Sequence, residues 1–115
     1  MSKPTLTLDP YLTETLMRDL VGHDRRPAAF LVYLWLFAEQ QNQAQQNQAQ
    51  HRHTAPVTIS YQDLAESIGI SKSSAQSAVG WLVRRKLLAA VKATVTATPT
   101  YKVLTPWKIR STRAT

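Results

Sequence analysis

Apolar residues between Tyr61 and Leu88 recur at helical spacing in two short runs separated by one glycine. Leu64, Ala65 and Ile68 share one side of a first helix over about 61–68. Ala75, Ala78, Val79 and Leu82, at i, i+3, i+4 and i+7, form the inward stripe of a second, from about Lys72 to Lys86. Ser60 and Ser71 stand just before these patterns, where a side-chain oxygen can accept from backbone N–H groups that have no partner inside the helix. Asp63, three residues after Ser60, takes the acid's place in a capping box. Gly69 can adopt the left-handed backbone that closes the first helix, which leaves Ile70 to drop between the two.

The same reading extends in both directions. Asp9-Pro10 joins a cap to a first-turn proline, and Leu12, Leu16 and Leu20 follow every four residues, so a helix is expected over 9–22. A core helix over 27–40 carries AAFLVYLWLFA, Ala28 to Ala38, which is apolar almost all round. Eleven residues fall short of the roughly twenty that span a bilayer. The tandem QNQAQ of Gln41 to Gln50 has no charge and no apolar face; we read 41–56 as a Gln-rich loop and spacer, which the helix can overrun before fraying. Val57, Thr58 and Ile59 supply a short strand. Val91, Ala93 and Val95 then alternate with Lys92, Thr94 and Thr96, Thr98-Pro99 breaks the run, and Tyr101 to Leu104 resumes it, which predicts an antiparallel hairpin with one face on the core. Residues 105–115 form a basic tail with Trp107, Lys108, Arg110 and Arg113, expected to dangle or to lie along phosphates. The predicted class is α+β, mainly α, in the order α-α-β-α-α-β-β with an extra N-terminal helix, and 1–115 forms a single domain.

Charge changes the picture. Through Ser67 the chain has five Lys or Arg against seven acids; beyond it there are nine Lys or Arg and no acid, so all of the +7 excess begins at the second short helix. Phosphate neutralisation with counterion release requires such an excess. On the outer side of that helix Ser73, Ser77, Gly80 and Arg84 share one line, flanked by Gln76 and Trp81. A polar outer face is more often merely solvated, but two helices joined by a tight turn and followed by such charge read as a helix-turn-helix. A helix fits the major groove, where Ser bonds to several base edges, Gln grips adenine at two atoms, and Arg or Lys reaches guanine or phosphate. We expect Ser73, Ser74, Gln76, Ser77 and Arg84 to read or position bases, and Tyr61, Lys72, Arg85, Lys92 and Lys102 to hold phosphates of duplex DNA. Trp81 either touches a sugar or base or, more commonly for a flanking aromatic, packs on a neighbouring helix. Gly80 allows close backbone approach to DNA or is a tolerated weakness, at a cost of about 1 kcal/mol relative to alanine.

The run LAESIGISKSSAQSAVGWLVRRKLL, Leu64 to Leu88, resembles the winged helix-turn-helix of bacterial regulators, and more closely that of plasmid and phage replication initiators. With the helix before it and the hairpin after it, the resemblance covers roughly Ala28 to Leu104. It implies a recognition helix in the major groove and a hairpin wing, here with a neutral tip at Thr94 to Thr100, so that Lys92 or Lys102 would make the wing's phosphate contacts. Lys86 stands where the family usually has glycine. The function implied is sequence-specific DNA binding in transcription regulation, replication initiation or partition. The alternative is a winged-helix module that binds another protein without specific DNA binding, because the fold serves both uses; structured RNA is a third candidate partner.

The apolar surface of 28–38 exceeds what one core-facing stripe needs. It must be covered by the first helix, by a second subunit, or by both; we expect a homodimer through Leu12, Leu16, Leu20, Phe30, Leu34 and Trp35, which would suit a two-fold DNA site. Three scattered glycines, Gly22, Gly69 and Gly80, make no phosphate-binding loop, and Ser71 lacks the glycines of a nucleophile elbow. With no cysteine, His51 and His53 make a poor zinc site, and His23 reads as a helix-end residue. We therefore expect no enzyme activity, no metal, no cofactor, no small-molecule substrate and no membrane partner. The absence of cysteine and of a signal-peptide pattern fits the cytoplasm.

Overall fold

The computed structural model describes residues 6–46, 56–92, 94 and 97–107. Its elements follow the expected order: an N-terminal helical segment with wide-turned π-helical runs at Leu12–Leu16 and Arg18–His23, then α1 Pro27–Gln46, β1 Val57–Thr58, α2 Tyr61–Ile68, α3 Lys72–Arg84, β2 Leu88–Val91 and β3 Thr100–Val103. The three strands make one antiparallel sheet in the order β1-β3-β2, with Tyr101 opposite both Val57 and Ala90. Helix cluster and small open sheet together form a winged-helix-like arrangement.

The organising element is α1. Ala29, Phe30, Val32, Tyr33, Leu36 and Phe37 are all buried, and the helix touches α3, the second π-helical run, β3, α2 and β1. The N-terminal segment covers one flank with Leu12, Leu16 and Leu20, of which Leu12 and Leu20 are fully buried, each stabilising the fold by about 1.5–3 kcal/mol. Burial there repeats every four residues: Leu12, Leu16 and Leu20 are buried while Tyr11, Thr15 and Asp19 beside them are half-buried. A π-helix closes i→i+5 bonds and so turns more widely than the 3.6 residues of an α-helix, which suits that spacing.

The Leu12, Leu16, Leu20 and Phe30 side chains expected at a dimer contact are therefore already spent in the core of one chain, and Leu34 and Trp35 are half-buried against it. The chain's own segments cover most of the apolar side of α1, while Leu31 stays 42% exposed.

Both short helices start as the serines predict: Ser60 Oγ accepts from the Asp63 N–H at 3.0 Å and Ser71 Oγ from the Ser74 N–H at 3.1 Å. Gly69, at φ 93°, ends α2, and its N–H and that of Ile70 both reach the Ala65 carbonyl. At the end of α3, two residues earlier than the sequence pattern suggests, Lys86 itself takes the left-handed conformation at φ 61°. The Lys86 N–H bonds to Val83 O at 3.0 Å and the Leu87 N–H to Leu82 O at 2.9 Å, with Leu87 and Leu82 both buried. That is a full Schellman closure without glycine.

Three further expectations are corrected. The helix does not stop at Gln40 but runs to Gln46, because the first glutamines have structural partners. Gln40 is buried and accepts from the Val103 N–H at 3.1 Å, while the Gln41 amide holds both the N–H (2.6 Å) and the carbonyl (2.8 Å) of Thr7. Two strands are shorter than expected: β2 ends at Val91, which is 66% exposed rather than facing the core, and Ile59 lies outside β1, while β3 keeps its expected length one residue earlier. The tail is tied down at Trp107, which stacks on Tyr11 with ring centroids 4.3 Å apart and donates Nε1–H to Asp9 Oδ2 at 3.0 Å. Tyr33 completes this junction by donating its hydroxyl to Leu104 O at 2.8 Å.

A left-handed non-glycine residue costs about 1 kcal/mol. Lys86→Gly should therefore raise unfolding stability by about 1 kcal/mol and the melting temperature by several degrees, read by thermal denaturation.

Candidate nucleic-acid interface

Helix α3 presents its small and polar residues outward because its apolar stripe is consumed inward: Ala75, Ala78, Val79 and Leu82 are buried, whereas Lys72, Ser73, Gln76, Ser77, Gly80 and Arg84 are exposed. The line anticipated from sequence is present as one continuous solvent-facing strip. No heavy atom lies within 4 Å of where a Cβ on Gly80 would stand, so packing does not demand glycine there. At the start of α3 the hydroxyls of Ser71, Ser73 and Ser74 interlock, Ser71 to Ser74 at 2.9 Å and Ser71 to Ser73 at 3.3 Å. Ser74 is half-buried in that cap, while Gln76 and Ser77 stand clear of it.

The remaining candidates fall into separate groups. Tyr61, half-buried at the start of α2, has its ring 6.4 Å from that of Tyr101, with Lys92 Nζ 5.9 Å from its centroid. Lys102 is exposed on β3, between buried Tyr101 and Val103. Residues 93, 95 and 96 at the hairpin tip, and His51 and His53, lie outside the described residues; among the described residues no cluster of His, Cys, Asp or Glu could hold a metal ion.

Trp81 and Arg85 form a centre of their own, around a residue that sequence reasoning did not single out. Asp24 Oδ2 accepts from Trp81 Nε1–H at 2.9 Å and pairs with Arg85 Nε at 3.1 Å, and its Oδ1 lies 2.9 Å from His23 Nδ1. The carboxylate is 5% exposed, and it links the end of the N-terminal segment to α3 across 57 positions. Arg26 Cζ stands 4.5 Å from the Trp81 ring centroid and Arg84 Cζ 5.8 Å from it. Trp81 therefore packs against the turn before α1 rather than standing free on the outer strip. One signal for this centre exists in the sequence: an acid just past a helix C-terminus opposes the helix dipole, so Asp24 belongs there only with partners.

Burial by itself would raise the Asp24 carboxyl; the hydrogen bonds from His23 and Trp81 and the charges of Arg85 and His23 outweigh it and hold the group below its ordinary value of 3.8. Burial, with the Tyr61 hydroxyl group as a lesser cause, pushes the Tyr101 hydroxyl strongly upward, so Tyr101 is a neutral core residue.

Comparison with protein-family models, curated proteins and solved structures finds no match to this chain. The case for function rests on the site.

Asp24→Ala leaves the Trp81 N–H without its acceptor, and should cost about 1–2 kcal/mol, held to that range because His23 and Arg85 reach solvent. Because folding lowers the Asp24 pKa, its contribution is complete above the ordinary carboxylate range and fades as pH falls through the lower folded value. Denaturant melts of wild type and Asp24→Ala should accordingly differ at pH 7 and converge at the acid end.

Proposed function

We propose that this chain is a sequence-specific duplex DNA-binding protein, a transcriptional regulator or the DNA-binding component of a plasmid or phage replication or partition system, with α3 as the helix that enters the major groove. The observation that carries the reading is the exposed line Ser73, Ser77, Gly80 and Arg84, flanked by Lys72 and Gln76, in a stretch where nine Lys or Arg follow Ser67 with no acid. Hydroxyl and carboxamide groups on one helical face match the donors and acceptors of base edges, Arg84 at the end of the line reaches guanine or phosphate, and Gly80 lets the helix backbone approach closely. Lys72, Lys92 and Lys102 would neutralise phosphates and set the register, with Tyr61 supporting Lys92 through its ring. Arg85 is engaged by Asp24 through Nε and contributes from that fixed position.

Selection from a random duplex pool at physiological salt should enrich a defined motif. Gln76→Ala should then relax preference at one base pair, by about 1–3 kcal/mol if its contact is bidentate. Lys72→Ala should weaken all sequences alike and reduce the slope of log affinity against log salt by about 0.9. A wild-type protein that retains no duplex would overturn the reading in favour of a protein-binding winged-helix module.

A further inference from the structure

We infer that Arg25 and Arg26, in the turn before α1, form with Arg84 a second phosphate-binding station at the C-terminal end of α3, built on the Trp81 indole and held in place by Asp24. This rests on the DNA-binding reading above and adds to it a backbone contact from a part of the chain that carries no helix-turn-helix residue.

The turn that presents these arginines is specifically constructed. Arg25 adopts a left-handed backbone at φ 56°, the Asp24 N–H reaches Asp19 O and the Arg26 N–H reaches Leu20 O, both at 2.7 Å. Asp24 then fastens the turn to α3 through Trp81 and Arg85. Arg26 and Arg84 share one indole at 4.5 and 5.8 Å, and both arginines are exposed, as is Arg25. A guanidinium held over an indole by the attraction of its charge for the ring still has N–H donors to offer a phosphate.

Charge balance points the same way. Asp24 is paired with Arg85, while Arg26 and Arg84 share the Trp81 ring and Arg25 adjoins Arg26 in the chain, a local excess of like charge that a polyanion relieves. Duplex DNA offers one negative charge per roughly 1.7 Å of axis. The dimensions also agree: Ser73 to Arg84 spans about 16 Å at 1.5 Å per residue, while the major groove is about 12 Å wide. With Ser73 and Ser77 among the bases, the Arg84 end of α3 stands over the groove's phosphate wall, and the arginines of the turn flank it.

The test compares salt dependence of binding to the selected duplex for wild type, Arg25→Gln with Arg26→Gln, and Arg25→Lys with Arg26→Lys. Two lost phosphate contacts should make the glutamine variant's log–log salt slope shallower by about 1.8, with the base preference of the wild type retained and the lysine variant returning to the wild-type slope. Phosphate-ethylation interference should show two phosphates at one edge of the footprint that matter to wild type and not to the glutamine variant. A wild-type slope in the glutamine variant, with its thermal melt unchanged, would falsify the station while leaving the DNA reading intact, as would a lysine variant that loses the slope too. Failure of wild type to bind any duplex would instead remove the reading beneath it.

Discussion

A helix with almost no polar side has to be wrapped, and α1 imposes that requirement on the rest of this chain. The N-terminal segment lies against it through leucines at four-residue spacing, α3 through alanines, valine and leucine, and β3 through Tyr101 and Val103. Because α3 must turn its apolar stripe toward α1, its serine, glutamine and arginine side is turned to solvent by default. Outward exposure of that strip is thus a by-product of core formation. The proposal that it is a binding surface rests on its chemistry and the charge gathered around it.

Asp24 supplies the complementary control. Packing alone sets which side of α3 faces in, but hydrophobic contacts are non-directional and leave rotation and tilt soft. A carboxylate that grips an indole N–H and a guanidinium at about 3 Å restrains the helix end in a directional way. The interaction is also what turns Trp81 away from the outer strip and gives Arg26 a flat surface to rest on.

Local chemistry was legible in the sequence and distant pairing was not. Ser60, Ser71 and Gly69 announce the limits of α2 and α3 because caps and left-handed closures are decided within a few residues. The inward stripes of both helices, and most of the outer strip, follow from periodicity for the same reason. The Asp24 centre, by contrast, joins residues far apart in the chain, and the roles of Gln40, Gln41 and Trp107 depend on partners at Val103, Thr7 and Asp9. Gln41, which opens the glutamine repeat, looks like solvated spacer until Thr7 arrives beside it, and the rest of the predicted loop from residue 47 to 55 lies outside the described residues. Lys86 misleads in the other direction: it lacks the usual glycine, yet the buried pair Leu82 and Leu87 is enough to hold it left-handed. The apolar excess of α1 was read as surface needing cover, and much of that cover comes from the same chain, through the buried stripe Leu12, Leu16 and Leu20 of the N-terminal segment.

The stack of Trp107 on Tyr11 has a consequence for how the domain comes into being. During synthesis the N-terminal segment emerges first, yet Asp9 and Tyr11 find their partner almost a hundred residues later, and Tyr33 waits for the carbonyl of Leu104. Contacts of such sequence separation close late, after the entropy of the intervening loop has been lost. A nascent chain halted in β3 would hold a helix-turn-helix whose helices are already capped, on a core still open at one end. The final seating of α1 therefore waits on Leu104 and Trp107, whatever the order in which the helices form.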